Sequence, residues 1–211
     1  IYEFAKYVKW ADINRLSKAM VESKDAYQIT AFAREVKGAS VNDLAKEAIN
    51  LHDGRAIYTF AYSVKGAPIK ELEKAMCDPI TYNTNFAYDF AKNVSANDVE
   101  GLTNAVIKGE SIEDMIAFAR DIKGANIRKI ENAIIKNGNA RDIYDFAREV
   151  ERSNKKKLTK AFMNSIYFEE ESLLWDFAFL PKVDLDVIND TLLNKCIDKD
   201  IPVSVITNYV N

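Results

Sequence analysis

A Phe-Ala pair recurs along this chain at Phe4, Phe32, Phe60, Phe90, Phe118, Phe146 and Phe177, at separations of 28, 28, 30, 28, 28 and 31 residues. Self-similarity at so regular a period marks a repeat architecture, in which each unit buries its apolar face only against its neighbours. Counted from each Phe, offset −3 holds Ile1, Ile29, Ile57, Ala87, Met115, Ile143 and Leu174. Offset +4 holds Val8, Val36, Val64, Val94, Ile122 and Val150. Apolar residues at −3, 0, +1 and +4 lie on one face of an α-helix, so each Phe is expected to mark the buried stripe of a first helix.

That helix then stops. Gly38, Gly66 and Gly124 stand at +6, the expected place of a left-handed residue just past a helix end. Ala follows at +7, and Ser40, Asn126 or Pro68 opens a second helix as cap or first-turn residue. The second helix carries Ile13, Val41, Ile69, Val99 and Ile127 at +9, and Leu16, Leu44, Leu72, Leu102, Ile130 and Leu158 at +12. Ala19, Ala75, Ala105, Ala133 and Ala161 at +15 suit close approach between helices. Polar breaks such as Ser23-Lys24-Asp25, His52-Asp53-Gly54, Gly109-Glu110-Ser111 and Asn137-Gly138-Asn139 lead to the next unit. The expected fold is all-α: a single α-solenoid domain over residues 1–211 of about seven stacked two-helix repeats, with units near 1–22, 23–51, 52–79, 80–109, 110–137, 138–166 and 167–211.

Departures from the pattern carry expectations of their own. Glu47 stands where Ala is expected, beside Ala48, which predicts a rotated second helix in unit two. An insertion around Cys77-Asp78-Pro79-Ile80 predicts a longer loop, and Glu151-Arg152-Ser153-Asn154 replaces the Gly turn in unit six. In unit seven the first helix ends near Pro181 and Leu185 to Leu193 supplies the second, as an atypical C-terminal capping repeat, with Ile201 to Val210 a short closing helix. The chain opens at Ile1 in mid-repeat, so further sequence is expected upstream.

The unit is clearest at Ile143–Val150 and Phe118–Ile134. It resembles the helix-hairpin solenoids of the HEAT and tetratricopeptide classes in architecture. It departs from both in its shorter period and in lacking the tetratricopeptide Trp/Gly/Tyr/Pro signature. It is more similar to short Phe-Ala-x-x-Val-Lys-Gly-Ala arrays of uncharacterised bacterial and phage proteins, and the likeness covers nearly the whole chain. That resemblance implies a stacked-hairpin fold and no particular activity. Its phage-like look adds one specific expectation, a role in inhibiting or titrating a host or defence protein.

Composition narrows the function classes. Seven Gly and four Pro in 211 residues are too few to punctuate a many-stranded sheet protein. The net charge is −3, from 29 basic and 32 acidic residues, so no global field draws the chain to nucleic acid or membrane. No apolar run approaches the roughly 20 residues that span a bilayer. Two distant cysteines, Cys77 and Cys196, without metal-ligand spacing fit a cytoplasmic setting. They are expected to be helix-end packing residues. The single histidine, His52, lies in an inter-repeat break beside Asp53 and Gly54 and reads as a solvated turn residue. Carboxylates scatter over outward offsets, with no isolated buried pair for acid/base work. Neither a phosphate loop nor a zinc or calcium motif is present, so no enzyme activity, cofactor or metal is expected.

One constellation could form a binding surface. Offset −2 is aromatic at Tyr2, Tyr58, Tyr88, Tyr144 and Trp175. Offset +2 is basic at Lys6, Arg34, Lys92, Arg120 and Arg148, and +5 is basic at Lys9, Lys37, Lys65 and Lys123. At about 100° per residue these offsets share one side of a helix and would form an aromatic and cationic ladder along the stack. Lys18, Lys46, Lys74 and Lys160 at +14 add cations on the second helices. Such a ladder could hold a nucleic-acid strand by stacking and phosphate contacts. It could instead be helix-end electrostatics, with cationic stems lying over Tyr rings. The acidic balance favours the structural reading, so the leading expectation is a non-enzymatic scaffold for a protein partner, with nucleic acid the alternative.

Overall fold

In the computed structural model, the structure describes residues 1–166 and 171–198. The proposed closing helix at Ile201 to Val210 lies outside the described residues. Among the described residues there are fourteen helices and no strand, with a lone bridge pairing Asp53 and Tyr82. In chain order they pair as α1 (Tyr2–Tyr7) with α2 (Ile13–Glu22), α3 (Ala26–Glu35) with α4 (Val41–Asn50), and α5 (Gly54–Ser63) with α6 (Ile69–Met76). Next come α7 (Phe86–Asn93) with α8 (Val99–Lys108), then α9 (Ile112–Asp121), α10 (Ile127–Asn137), α11 (Ala140–Glu149) with α12 (Lys155–Ser165), and last α13 (Glu171–Ala178) and α14 (Leu185–Asp198). The chain forms two compact units, Ile1–Asn126 and Ile127–Asn211.

The first unit builds two rows of neighbouring helices. The first helices pack in the order α1, α3, α5, α7, α9, and the second helices in the order α2, α4, α6, α8. In the second unit α11 packs on α13 and α12 on α14. The Phe column supplies the core: every repeat Phe except Phe4 is fully buried, together with Ile29, Ile57, Ala87, Met115 and Ile143 at −3. Phe4, on α1, which packs on α2 and α3, is 45% exposed.

The first six of the first helices end at the same place, offset +3, and the glycine acts one residue later than expected. The helix is closed by the +4 residue, whose N–H bonds the Phe carbonyl, as Val36 does to Phe32 at 3.0 Å. A separate four-residue turn follows, closed by Ala39 N–H on the Val36 carbonyl at 3.1 Å, and likewise from Ala67 to Val64 and from Ala125 to Ile122. Gly38, Gly66 and Gly124 fill its third position with φ of +86°, +82° and +89°. That position in a type II turn requires positive φ. Unit six also closes a four-residue turn, Ser153 N–H on the Val150 carbonyl at 3.1 Å, but without glycine and without a positive φ at its third residue, Arg152. There the buried Lys155 Nζ donates to the carbonyls of Ala147 and Val150, satisfying the orphan acceptors at the end of α11.

The second helices also correct an expectation. The fully packed column is +16, not the Ala column at +15: Met20, Ala48, Met76, Val106, Ile134 and Phe162 are all buried. Ala48 therefore sits in register and α4 needs no rotation. The inserted loop after α6 is a built element rather than slack. Tyr82 N–H donates to the His52 carbonyl at 2.8 Å, and Gly54 N–H to the Tyr82 carbonyl at 2.8 Å. A Cβ on Gly54 would meet the Asn83 carbonyl oxygen at 2.5 Å, so only glycine lets the loop come this close.

Candidate functional site

Tyr and cation stack as the helical spacing implies. Lys6 Nζ lies 5.2 Å from the centre of the Tyr2 ring, Lys92 Nζ 5.1 Å from that of Tyr88, and the Arg148 guanidinium 5.1 Å from that of Tyr144. These ladder members already bond to one another and to carboxylates. Lys6 Nζ donates to Tyr2 Oη at 2.9 Å and to Glu35 Oε2 at 2.6 Å, and Tyr2 Oη donates to the same carboxylate. Three repeats on, Lys92 donates to Tyr88 Oη at 2.6 Å and to Asp121 Oδ2 at 3.1 Å, while Tyr88 Oη donates to Asp121 at 2.7 Å. Between them, Asn93 Nδ2 donates to Tyr58 Oη at 3.3 Å. Glu35, Asn93 and Asp121 all stand at offset +3 of the following repeat.

Arg34 and Arg120 join the same carboxylates from the neighbouring position, Arg120 Nε lying 2.7 Å from Asp121 Oδ1. Arg148 pairs with Asp145 at 3.0 Å and Glu149 at 2.9 Å. The charge is shared enough to move the titrations. Lys6, Tyr2 and Arg34 bonded to Glu35 hold its carboxyl down at about 2. Arg120, then Tyr88, hold Asp121 well below the ordinary carboxylate range. A carboxylate depressed in the folded state contributes stability that is present above its unfolded value and lost as pH falls through the folded one. The denaturant midpoint is therefore expected to fall between pH 4.5 and about 2. In a pH series of urea melts, Glu35→Gln should flatten that slope; an unchanged slope would mean that Glu35 carries no coupling.

The +5 lysines behave differently. Each first helix stops by offset +3, so 100° per residue no longer places Lys9, Lys37, Lys65 and Lys123 on the ladder face. They sit in the following turn, exposed, and among the described residues no ion pair engages them. Trp175 is partly exposed and stacks on Phe179 at 6.4 Å. At +14, Lys46 reaches Asp43 at 3.5 Å, an exposed pair of little energetic weight.

A buried polar column on the second helices had no place in the sequence reading. Offset +13 holds Ser17, Ala45, Glu73, Thr103, Glu131 and Thr159, all buried. Glu73 accepts Asn97 N–H at 2.7 Å, Asp98 N–H at 3.0 Å and Ser95 Oγ at 3.1 Å. Glu131 accepts Asn154 N–H at 2.8 Å, Thr159 Oγ1 accepts Asp184 N–H at 3.2 Å, and Ser17 Oγ accepts Ser40 N–H at 3.4 Å. Each latch satisfies the start of the next repeat's second helix. Carboxylates are thus not confined to outward offsets, though each buried one stands apart from other carboxylates, bonded to backbone N–H groups and side chains of the next repeat, Glu131 also pairing with Lys157 at 3.1 Å. Ala45 is apolar where the next repeat presents Pro68, which has no N–H to satisfy. The signal was in the sequence: one polar column inside an apolar face.

Other candidates are structural in their surroundings. His52 adopts φ of +52° in the break before α5. Cys77 caps the end of α6, and burial, aided by Asp98 and Glu73, pushes its thiol up to about 12, so the thiolate is scarce at neutral pH. Among the described residues no His, Cys, Asp and Glu group could hold a metal ion, and no helix is long and apolar enough to cross a membrane.

Exposed aromatic side chains line the ladder stripe instead. Tyr27, 77% exposed, borders a cleft of about 370 Å³ between α3 and α5 with Thr30, Arg55 and Thr59. Tyr62, 64% exposed at offset +2 of unit three, stacks on Tyr58 at 5.7 Å. The chain matches no protein-family model, and no curated protein or solved structure matches it.

Proposed function

We infer that this chain is a non-enzymatic scaffold that binds a protein partner on the outer stripe of its first helices. The observation that carries the reading is the pairing of the ladder. Its +2 cations already face carboxylates of their own or the following repeat, so little unspent positive charge remains at that offset for phosphates. On the same stripe, Tyr27, Arg55 and Tyr62 stand in solvent. Exposed Tyr and Arg over a charge-neutral ground is the composition of protein interfaces, where such residues become energetic anchors. A phosphate-binding track would need clustered free cations.

Affinity capture at high salt tests this reading. A partner held by aromatic contacts is expected to stay bound at about 0.5 M salt, where exposed charge pairs are screened within about 4–5 Å. Tyr27→Ser with Tyr62→Ser is expected to release it by more than about tenfold in affinity, the loss of one or two anchors. Capture that disappears on nuclease treatment, or that ignores both Tyr changes, would contradict the proposal.

A further inference from the structure

In the first compact unit the joints between neighbouring first helices share one plan, and the joint between α3 and α5 departs from it. At the other three, offset −2 supplies a tyrosine that reaches the next first helix. Tyr2 donates to Glu35, Tyr58 stacks on Phe86 at 6.0 Å and accepts from Asn93, and Tyr88 donates to Asp121. On α3 the −2 residue is Thr30. Opposite it, the +3 residue of the next repeat is Ser63, whose hydroxyl turns back to the Thr59 carbonyl at 2.6 Å. Arg34 at +2 pairs with Glu35 on its own helix. Offset −2 therefore supplies neither ring nor bridge to this joint.

The cleft of about 370 Å³ between α3 and α5 lies where that ring is missing. Small side chains line it, Ala26, Thr30, Ala56 and Thr59, and the exposed Tyr27 and Arg55 border it. Its volume is at the lower end for ligand sites, suited to one side chain rather than a large ligand. Thr30 is 4% exposed, yet its hydroxyl bonds to none of the described residues. Ser17, Thr103 and Thr159 each bond the carbonyl four residues back, as a buried hydroxyl normally finds a partner. Arg55 pairs with no carboxylate among the described residues. Asp53 also lines the cleft, but its Oδ1 already accepts the Arg55 backbone N–H at 2.9 Å and Asn83 Nδ2 at 3.0 Å.

We propose that this cleft receives a tyrosine side chain of the protein partner, flanked in the partner by acidic residues. The proposal rests on the scaffold reading above and names the chemistry recognised on that surface. The incoming ring takes the place that Tyr2, Tyr58 and Tyr88 fill at the other joints, against Ala56 and beside the Tyr27 ring. Entering from solvent, it leads with its phenol, which meets the Thr30 hydroxyl. A phenylalanine would leave that hydroxyl bare. The acidic neighbours answer the Arg55 guanidinium, whose fork suits a carboxylate.

Titration of the isotope-labelled chain with the capped peptides Glu-Tyr-Glu, Glu-Phe-Glu and Glu-Ala-Glu, read by amide NMR shifts, tests this. The tyrosine peptide is expected to give saturable shifts confined to the amides around Thr30 and Thr59, with a Kd on the order of 1 mM. The phenylalanine peptide should bind about threefold or more weaker, for want of one hydrogen bond, and the alanine peptide not at all. Thr30→Val removes the hydroxyl at nearly constant shape and is expected to make the tyrosine and phenylalanine peptides bind alike. Thr30→Tyr fills the cleft from within and is expected to abolish binding, with circular dichroism checking that both variants fold. No saturable shift up to about 10 mM, shifts centred elsewhere on the chain, or a tyrosine preference that survives Thr30→Val overturns the proposal. The peptides work without the natural partner. A partner still captured through Tyr27 and Tyr62 while the peptides fail strikes the cleft and leaves the scaffold reading standing.

Discussion

Phe60→Ala is expected to lower stability by about 4 kcal/mol, while Phe4→Ala costs under about 1 kcal/mol, although both occupy the same repeat position. Phe60 is fully buried on α5, which packs against α3, α4, α6 and α7. Removing its ring forfeits the transfer energy of the side chain and leaves a cavity that four helices cannot collapse around without shifting. Phe4 is already half in solvent and its loss opens no closed void. Urea melts of the two variants make the comparison. Similar losses would mean that the first repeat is packed as tightly as the third, against the burial seen here.

Glu73→Ala is expected to cost about 3 kcal/mol, because two backbone N–H groups and the Ser95 hydroxyl lose their acceptor in a buried setting. Glu73→Gln keeps an acceptor oxygen and should cost less than half as much. The ordering separates a hydrogen-bond latch from simple packing: a packing role would make Gln and Ala differ by volume alone. Ala45→Ser supplies the control. It adds a hydroxyl opposite Pro68, which offers no donor, so it should not stabilise the joint that lacks a latch. Stabilisation there would show that the column works by something other than capping the next helix.

Much of this architecture was legible in the residue pattern because it depends on helical periodicity. The Phe column and the −2 to +2 stacking lie inside single helices, where 100° per residue holds, and Lys6 over Tyr2 follows from it. Extending that angle to Lys9 and its equivalents failed because the helix ends before them, at Tyr7 in repeat one. The +3 carboxylates escaped notice since their partners lie in another repeat, 29 residues away for Lys6 and Glu35. Offset arithmetic within one unit does not show which unit a side chain faces. The latch column was visible as Ser17, Glu73, Thr103, Glu131 and Thr159, but its meaning required knowing that the column is buried. Ala48 misled for a related reason, since the packed column is one residue beyond the conspicuous alanines.

On the proposed reading the ladder cations serve the stack itself and leave an interface suited to protein. Fluorescence anisotropy with labelled single- and double-stranded oligonucleotides at about 50 and about 200 mM salt tests it most directly, the range over which several phosphate contacts would weaken binding at least about a thousandfold. No tight binding is expected at either salt, and no change on Arg34→Glu, Arg120→Glu and Arg148→Glu beyond lost stability. Tight binding at low salt that collapses at the higher one and is abolished by those changes would contradict it, and would make the ladder a nucleic-acid track.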